Sequence, residues 1–256
     1  MTMPHGYSFP AAFTVEAVLG DKVVSAVKAA GKEYPCGMVI FATGVRANLD
    51  IPKELGLDIG QLGAVAVSPT LQPYKRGRLV KDIFLAGDLI QCQSAAMPGP
   101  TMSQLGSSAV KQGDVAGRNA AGDHGIFGAT ASPWVSVIGD VQIAGTGLSQ
   151  GLASWYGIST VEGKAEGFTR ARYSPGGKTL IVKIAADRSS HRIVGAQIIA
   201  GEDATGRINW LTSAVLFGIT AEDFLATGEN AYCPPTSMVR DVVLSAAEDL
   251  VHNLSG

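Results

Sequence analysis

Hydrophobic and polar positions alternate along this chain in two distinct rhythms. Two short, continuous apolar runs, Gly37-Met-Val-Ile-Phe-Ala-Thr-Gly44 and Ile83-Phe-Leu-Ala-Gly-Asp88, each end in small residues and a glycine. Runs of this kind read as strands buried on both faces, and open α/β sheets bind ligands beyond the carboxyl ends of such strands. Before them, Val15, Val18, Val23, Val24 and Val27 flank Gly20-Asp21, so residues 11–26 read as a hairpin, whereas residues 1–10 have no periodicity. Later, residues 134–144, 168–173, 179–185 and 193–199 read as strands, the last three separated by Ser-Pro-Gly-Gly177 and by residues 187–191. That spacing predicts an antiparallel meander.

Helical spacing occupies three further stretches. Residues 102–121 follow Thr101 and Gln104, which have the spacing of a capping box. Residues 202–217 place Ile208, Leu211, Val215 and Leu216 on one stripe ended by Gly218, after which Thr220 and Asp223 open a short helix. Finally Met238, Val239, Val242, Val243, Ala246, Leu250 and Val251 form an apolar face that must be buried, on the domain's own sheet or against a second copy. The polar, glycine-rich passage at residues 122–128 reads as a domain boundary.

Composition narrows the function classes. With 256 residues, 46% hydrophobic and 16% charged, the chain can bury one large core or two small ones. A net charge of −2, a pI near 6.1 and scattered Lys and Arg leave no basic field for nucleic acid. There is no apolar run of ~18 residues and no charged-then-apolar leader, so neither a membrane span nor secretion is expected. Cys36, Cys92 and Cys233 are odd in number, far apart and without metal-ligand spacing, which fits a reducing cytoplasm.

Candidate chemistry centres on Asp88. A carboxylate after a buried strand either accepts from a ligand hydroxyl or caps the turn that follows. A false lead lies at Gly145-Thr-Gly147-Leu-Ser-Gln-Gly151, which with Glu162 and Glu166 imitates a dinucleotide fingerprint. Its third glycine is one place late, and a meander rather than a βαβ repeat follows.

The order Ala-Thr-Gly44, Val45-Arg-Ala-Asn48, Leu55-Gly-Leu57, Gly63-Ala-Val-Ala-Val67 and Ile83 to Asp88 resembles the second half of the flavin domain of FAD-dependent pyridine nucleotide-disulfide oxidoreductases. The hairpin before it looks like the tail of that family's NADH domain. Thr146-Gly-Leu148, Ala171-Arg-Tyr173, Lys183-Ile184, Gly195-Ala-Gln197 and a closing helix are similar to its C-terminal dimerisation domain. The resemblance implies a fold of two kinds: an α/β second half of a flavin-binding Rossmann-like domain, then an α+β dimerisation domain with an antiparallel sheet. The corresponding segments are 1–36, 37–124 and 125–256.

The same resemblance implies cofactor contacts at Gly44, Gly87, Asp88, Thr101 and Met102. Asp88 would hydrogen-bond the ribityl chain of FAD, which lifts the ligand reading of this residue above the capping one. The helix start at Thr101 would face the pyrimidine edge of the flavin. Cys92 is expected to be a bystander. In the tail, Ala231-Tyr-Cys-Pro-Pro-Thr-Ser237 lacks the histidine and glutamate of the glutathione and lipoamide reductase branch, and with Arg240-Asp241 resembles the NADH oxidase and coenzyme A-disulfide reductase branch. There Tyr232 would reach the partner subunit's redox cysteine as a catalytic proton or hydrogen-bond donor. Cys233 is read as a small buried hydrophobe or a second interface thiol.

No Gly-x-Gly-x-x-Gly turn for FAD or NAD(P)H occurs in the sequence. The expected identity is therefore a C-terminal portion or subunit of an enzyme passing electrons from NAD(P)H through FAD to a disulfide, persulfide or dioxygen. It is expected to form a homodimer and to be completed by a segment or chain carrying the glycine-rich turns. The competing expectation is a non-catalytic dimerisation module with a vestigial flavin site.

Overall fold

The computed structural model describes residues 14–256, which fall into two compact units divided between Val45 and Arg46. The first unit is an antiparallel meander of β1 (Val15–Leu19), β2 (Ala26–Ala29) and β3 (Lys32–Pro35). The predicted hairpin is present, but its connection is longer than Gly20-Asp21. The second strand starts at Ala26, the Ser25 N–H closes the loop on the Leu19 carbonyl (2.8 Å), and Val23 stands exposed in the connection. The start predicted at Ala11 lies outside the described residues. Residues 37–44 depart from the buried strand that their composition predicts. They form no strand, and Met38, Ile40 and Phe41 are exposed, because nothing in this unit offers them a ladder.

The second unit begins with α1 (Asp50–Glu54), β4 (Val65–Ala66), the two-residue hairpin β5 (Tyr74–Lys75) and β6 (Arg78–Leu79), β7 (Ile90–Gln93), β8 (Pro100–Thr101) and α2 (Gly106–Ala120). β7 is central between β4, its parallel neighbour, and antiparallel β8. Leu71, Ile90, Cys92, Val115, Ala116 and Phe127 form a small core beneath them. The run at residues 83–88 is again not a strand. It is an extended, half-buried segment, and the paired strand begins after Asp88 rather than before it.

A larger antiparallel sheet follows, built from β9 (Trp134–Ile138), β10 (Val141–Gly147), β11 (Thr160–Phe168), β12 (Thr179–Asp187) and β13 (Ile193–Ala200) in the order β11-β12-β13-β10-β9. Between β10 and β11 lies α3 (Gln150–Trp155). β11 sits at the far edge and runs antiparallel to its neighbour, so the glycine-rich turn at 145–151 belongs to no βαβ unit. Glu162, the acid of that false fingerprint, is paired with Lys183 at 3.0 Å. The strand predicted at residues 168–173 ends at Phe168 instead. It begins at Thr160, where alternating Gly163, Ala165 and Gly167 hide the apolar signal.

α4 (Ala204–Phe217) packs on β10 and β13, α5 (Ala221–Thr227) on α6, and α6 (Val242–Ser255) on β11 and β12. Gly218 ends α4 in the left-handed conformation, and Thr220 Oγ1 accepts from the Asp223 N–H to open α5, both as the sequence predicts. The face of α6 is turned inward: Val242, Val243, Ala246 and Leu250 join Leu180, Val182, Ile184, Ile198 and Leu211 in one core. Its approach requires glycine, since a Cβ at Gly163 would lie 2.2 Å from the Leu250 nitrogen and 2.4 Å from the Ala246 carbonyl oxygen. The part of the stripe from Val242 to Leu250 is thus spent on the domain's own sheet, whereas Val239, ahead of the helix, stays exposed. Among the described residues no helix is long and apolar enough to cross a membrane.

Candidate functional site

Gly87 and Asp88 are held by α2. Gln112, on the buried face of that helix and only 1% exposed, accepts the Gly87 N–H through Oε1 at 2.7 Å. Gly87 has φ +90°, a conformation that side chains rarely adopt, so a glycine lets the chain turn there. The Ile90 N–H then returns to the Gly87 carbonyl (3.3 Å). This leaves Asp88 exposed at the turn, its carboxylate making no hydrogen bond among the described residues. The capping role is therefore absent, and the acid is free for a ligand.

The helix itself begins later than predicted. Thr101 pairs with Cys92 in the β7–β8 ladder, so the chain cannot turn helical until it leaves that pairing, and α2 starts at Gly106 behind Leu105. Thr101 and Gln104 make no capping box. Ser103 Oγ is occupied with Ser108 Oγ (2.7 Å), and no side chain caps the helix. The N–H groups of Gly106, Ser107 and Ser108 consequently meet no acceptor among the described residues, and with the helix dipole they favour an electron-rich group. Gln112 lies roughly 9 Å further along the axis. Its Nε2 is buried without a partner, as is that of Gln104. Buried donors left unsatisfied are costly, and two of them close to an uncapped helix start and a free carboxylate fit a polar ligand edge. These residues suit the polyol and pyrimidine part of FAD. Its pyrophosphate has no glycine-rich turn here.

Of the residues predicted to touch the cofactor, Gly87 and Asp88 adjoin through one turn linked to α2. Thr101 and Met102 lie in and just after β8, ahead of the helix start. Gly44, in the first unit, is exposed with φ +92°. The sequence marks Gln104 only as the expected capping-box partner of Thr101, and nothing in local spacing marks Gln112 or Gly106. Cys92 lies in the small core, and burial pushes its thiol up to about 11, against a smaller lowering by the Ser103 backbone.

A second cluster lies on the C-terminal domain. Tyr232 Oη shares a hydrogen bond of 2.6 Å with Tyr173 Oη, and both phenols reach solvent. That bond to Tyr173 is the main cause holding the Tyr232 phenol above its ordinary range, with lesser contributions from burial and from the charges of Tyr173 and Cys233. Nothing in the spacing of positions 173 and 232 signals that the two tyrosines meet. Cys233 is exposed, not a buried hydrophobe.

Comparison with known proteins places these features in context. The family model described as pyridine nucleotide-disulphide oxidoreductase matches residues 9–113. The model for the dimerisation domain of the same family matches residues 133–241. The chain is 38% identical to the NADH oxidase of Methanocaldococcus jannaschii over 241 residues, covering 94% of this chain and 52% of that protein. It is 31% identical to the NAD(P)H coenzyme A polysulfide/persulfide reductase of Pyrococcus horikoshii, covering 90% of this chain and 50% of that protein. The chain thus spans about half the length of the curated relatives it matches. Among solved structures, the NAD-dependent persulfide reductase from A. fulgidus superposes with a TM-score of 0.82 at 27% identity, over 92% of this chain and 43% of that one. The water-forming NADH oxidase from Lactobacillus brevis shares the fold, with a TM-score of 0.84 at 21% identity over 95% of this chain and 52% of that one. The two family models together take in most of the sequence, and the chain belongs to the pyridine nucleotide-disulphide oxidoreductase family, with that family's dimerisation domain at residues 133–241.

Proposed function

We propose that this chain is the flavin-facing and subunit-interface portion of an FAD-dependent NAD(P)H oxidoreductase of the NADH oxidase and coenzyme A-disulfide reductase branch. The observation that carries this reading is the Gly87–Gln112 bond, which presents the unengaged Asp88 carboxylate on a turn tied to the uncapped helix α2. FAD, when bound, supplies the means to accept a hydride from NAD(P)H and pass electrons to a disulfide, persulfide or dioxygen. Within that scheme Asp88 binds a ribityl hydroxyl. The free N–H groups at the start of α2 favour negative charge on the pyrimidine edge. Tyr232, backed by Tyr173, offers a proton or hydrogen bond to a thiolate. The division of labour is 37–124 for flavin and 125–256 for the interface.

A pyrophosphate-binding turn would come from a segment outside the present sequence, on the same or a separate chain. The exposed apolar residues Met38, Ile40 and Phe41 and the half-buried, unpaired run at 83–86 support this, since each has strand composition without a strand partner. The direct test is flavin absorbance of the purified chain, by itself and produced together with the portion of the M. jannaschii NADH oxidase that the chain does not cover. By itself the chain should stay colourless; with the added portion it should hold FAD that NAD(P)H bleaches. Failure of the combined protein to hold any flavin would favour the dimerisation module with a vestigial site.

The C-terminal domain is proposed to form a homodimer, burying more than ~1,500 Å² in total. With the α6 face already buried, the surface falls to exposed residues such as Trp155, Phe217 and Val239. Sedimentation equilibrium should give twice the chain mass, and a single-chain mass at micromolar concentration would refute it.

A further inference from the structure

The two tyrosines of the C-terminal cluster come from segments far apart in sequence, and one buried side chain reaches both. Arg207, on α4, donates through Nη2 to the Thr169 carbonyl (3.1 Å), four residues ahead of Tyr173. Its Nε and Nη2 also grip the Asp241 carboxylate, each at 2.9 Å to Oδ2. Asp241 closes the loop that carries Tyr232. Its N–H donates to Asn230 Oδ1 (3.1 Å), Asn230 Nδ2 donates to the Met238 carbonyl (3.0 Å), and Asp241 Oδ1 accepts the Val243 N–H (3.0 Å) to start α6. Besides the bond between the two phenols, the backbone of the loop so closed meets the Tyr173 segment at the Ala171 N–H, shared between the Ser237 (3.1 Å) and Pro234 (3.3 Å) carbonyls.

We propose that Arg207 is a positioning residue for the Tyr173–Tyr232 pair, fixing both tyrosine-bearing segments to a single guanidinium. This rests on the reading of Tyr232 as the proton-bearing group of the oxidoreductase. Two physical arguments support it. The Arg207 and Asp241 side chains are only 6% and 7% exposed, and a buried ion pair is a poor stabiliser compared with apolar packing, so its presence fits a need for defined geometry. A planar fork can serve a carboxylate and a carbonyl in fixed directions at once, whereas a lysine ammonium could neutralise Asp241 without holding Thr169. A purely structural role, capping α6 and joining it to α4, would not depend on that second contact.

The experiment uses the chain as it exists and needs no flavin. Tyrosinate absorbance is followed against pH, with Tyr232→Phe identifying the Tyr232 step and Tyr173→Phe defining the titration of a broken pair. In Arg207→Lys, which keeps the buried charge balanced, the Tyr232 titration should fall most of the way to that of Tyr173→Phe. Hydrogen exchange at the Ala171 amide should quicken roughly tenfold. Asp203→Asn serves as the control: its carboxylate meets Arg207 Nη1 at 3.1 Å but is 60% exposed, and its loss should change neither reading. If Arg207→Lys does not fold, Asn230→Ala opens the loop from its other end and should move both. An unmoved Tyr232 titration in folded Arg207→Lys, or in Asn230→Ala, overturns the proposal, as does an equal shift in Asp203→Asn. A moved titration with failed flavin binding would leave the positioning role standing and sink the proposed function; the reverse pattern would do the opposite.

Discussion

Residues 46–121, within the segment proposed to face flavin, and residues 127–256, within the segment proposed to form the subunit interface, contrast in how far each satisfies itself. In the interface region β12 and β13 are ladder-bonded on both sides, and α4 and α6 cover the sheet with residues such as Leu211 and Leu250 that are wholly buried. In the flavin-side region the strands are two to four residues long. Its apolar run at 83–86 has no ladder, its main helix is uncapped, and two buried amides lack partners. One region is a finished core. The other has the composition of a core and the hydrogen-bonding of an open site, which is what a surface that binds a ligand and a further chain segment requires.

The largest expected effect sharpens this contrast directly. Leu250→Ala should cost about 3–5 kcal/mol of stability in urea unfolding, because α6 is pinned against β11 at Gly163 and cannot collapse into the cavity. Ile90→Ala, in the smaller core, should cost about 2 kcal/mol, since its looser surroundings can close. Equal costs would mean that the two cores are packed to the same tightness. Next in size, Asp88→Ala should weaken FAD binding by the completed protein by about 1.5–3 kcal/mol, the worth of a hydrogen bond to a charged group. Unchanged affinity, measured by flavin fluorescence, would remove Asp88 from the site.

A smaller effect compares thiols. The Cys92 thiol, raised to about 11 and buried in the flavin-side core, stays protonated and should resist alkylation at pH 8, whereas exposed Cys233 should label readily. Labelling followed by mass spectrometry reads this, and Cys92 reacting as fast as Cys233 would mean that the small core opens.

Much of the interface region was legible in the sequence. Apolar periodicity with Gly218 and Thr220 as punctuation marks α4 and α5, and the β-branched runs mark β12 and β13, because these elements are buried against this chain itself. β11 was misplaced because its inward positions are small, a requirement of α6 that only the packed structure reveals. On the flavin side the apolar runs were recognised, but strand pairing was assumed that residues 46–121 do not contain. The start of α2 was read four residues early because the β8 pairing of Thr101 cannot be seen in local spacing. Tyr173, Arg207 and Asn230 were illegible as a cluster for a similar reason: they converge through tertiary contacts alone.

Completion of residues 46–121 from outside the present sequence, as proposed, should be visible in their backbone amides. Hydrogen exchange at Phe84 and Ala86 tests it most directly, because among the described residues their amides have no backbone acceptor. In the chain by itself these amides should exchange at nearly unprotected rates while those of β12 are held. With FAD and the uncovered portion of the M. jannaschii relative added, they should slow by roughly a hundredfold or more. Protection already present in the chain alone, or none gained in the completed protein, would contradict it.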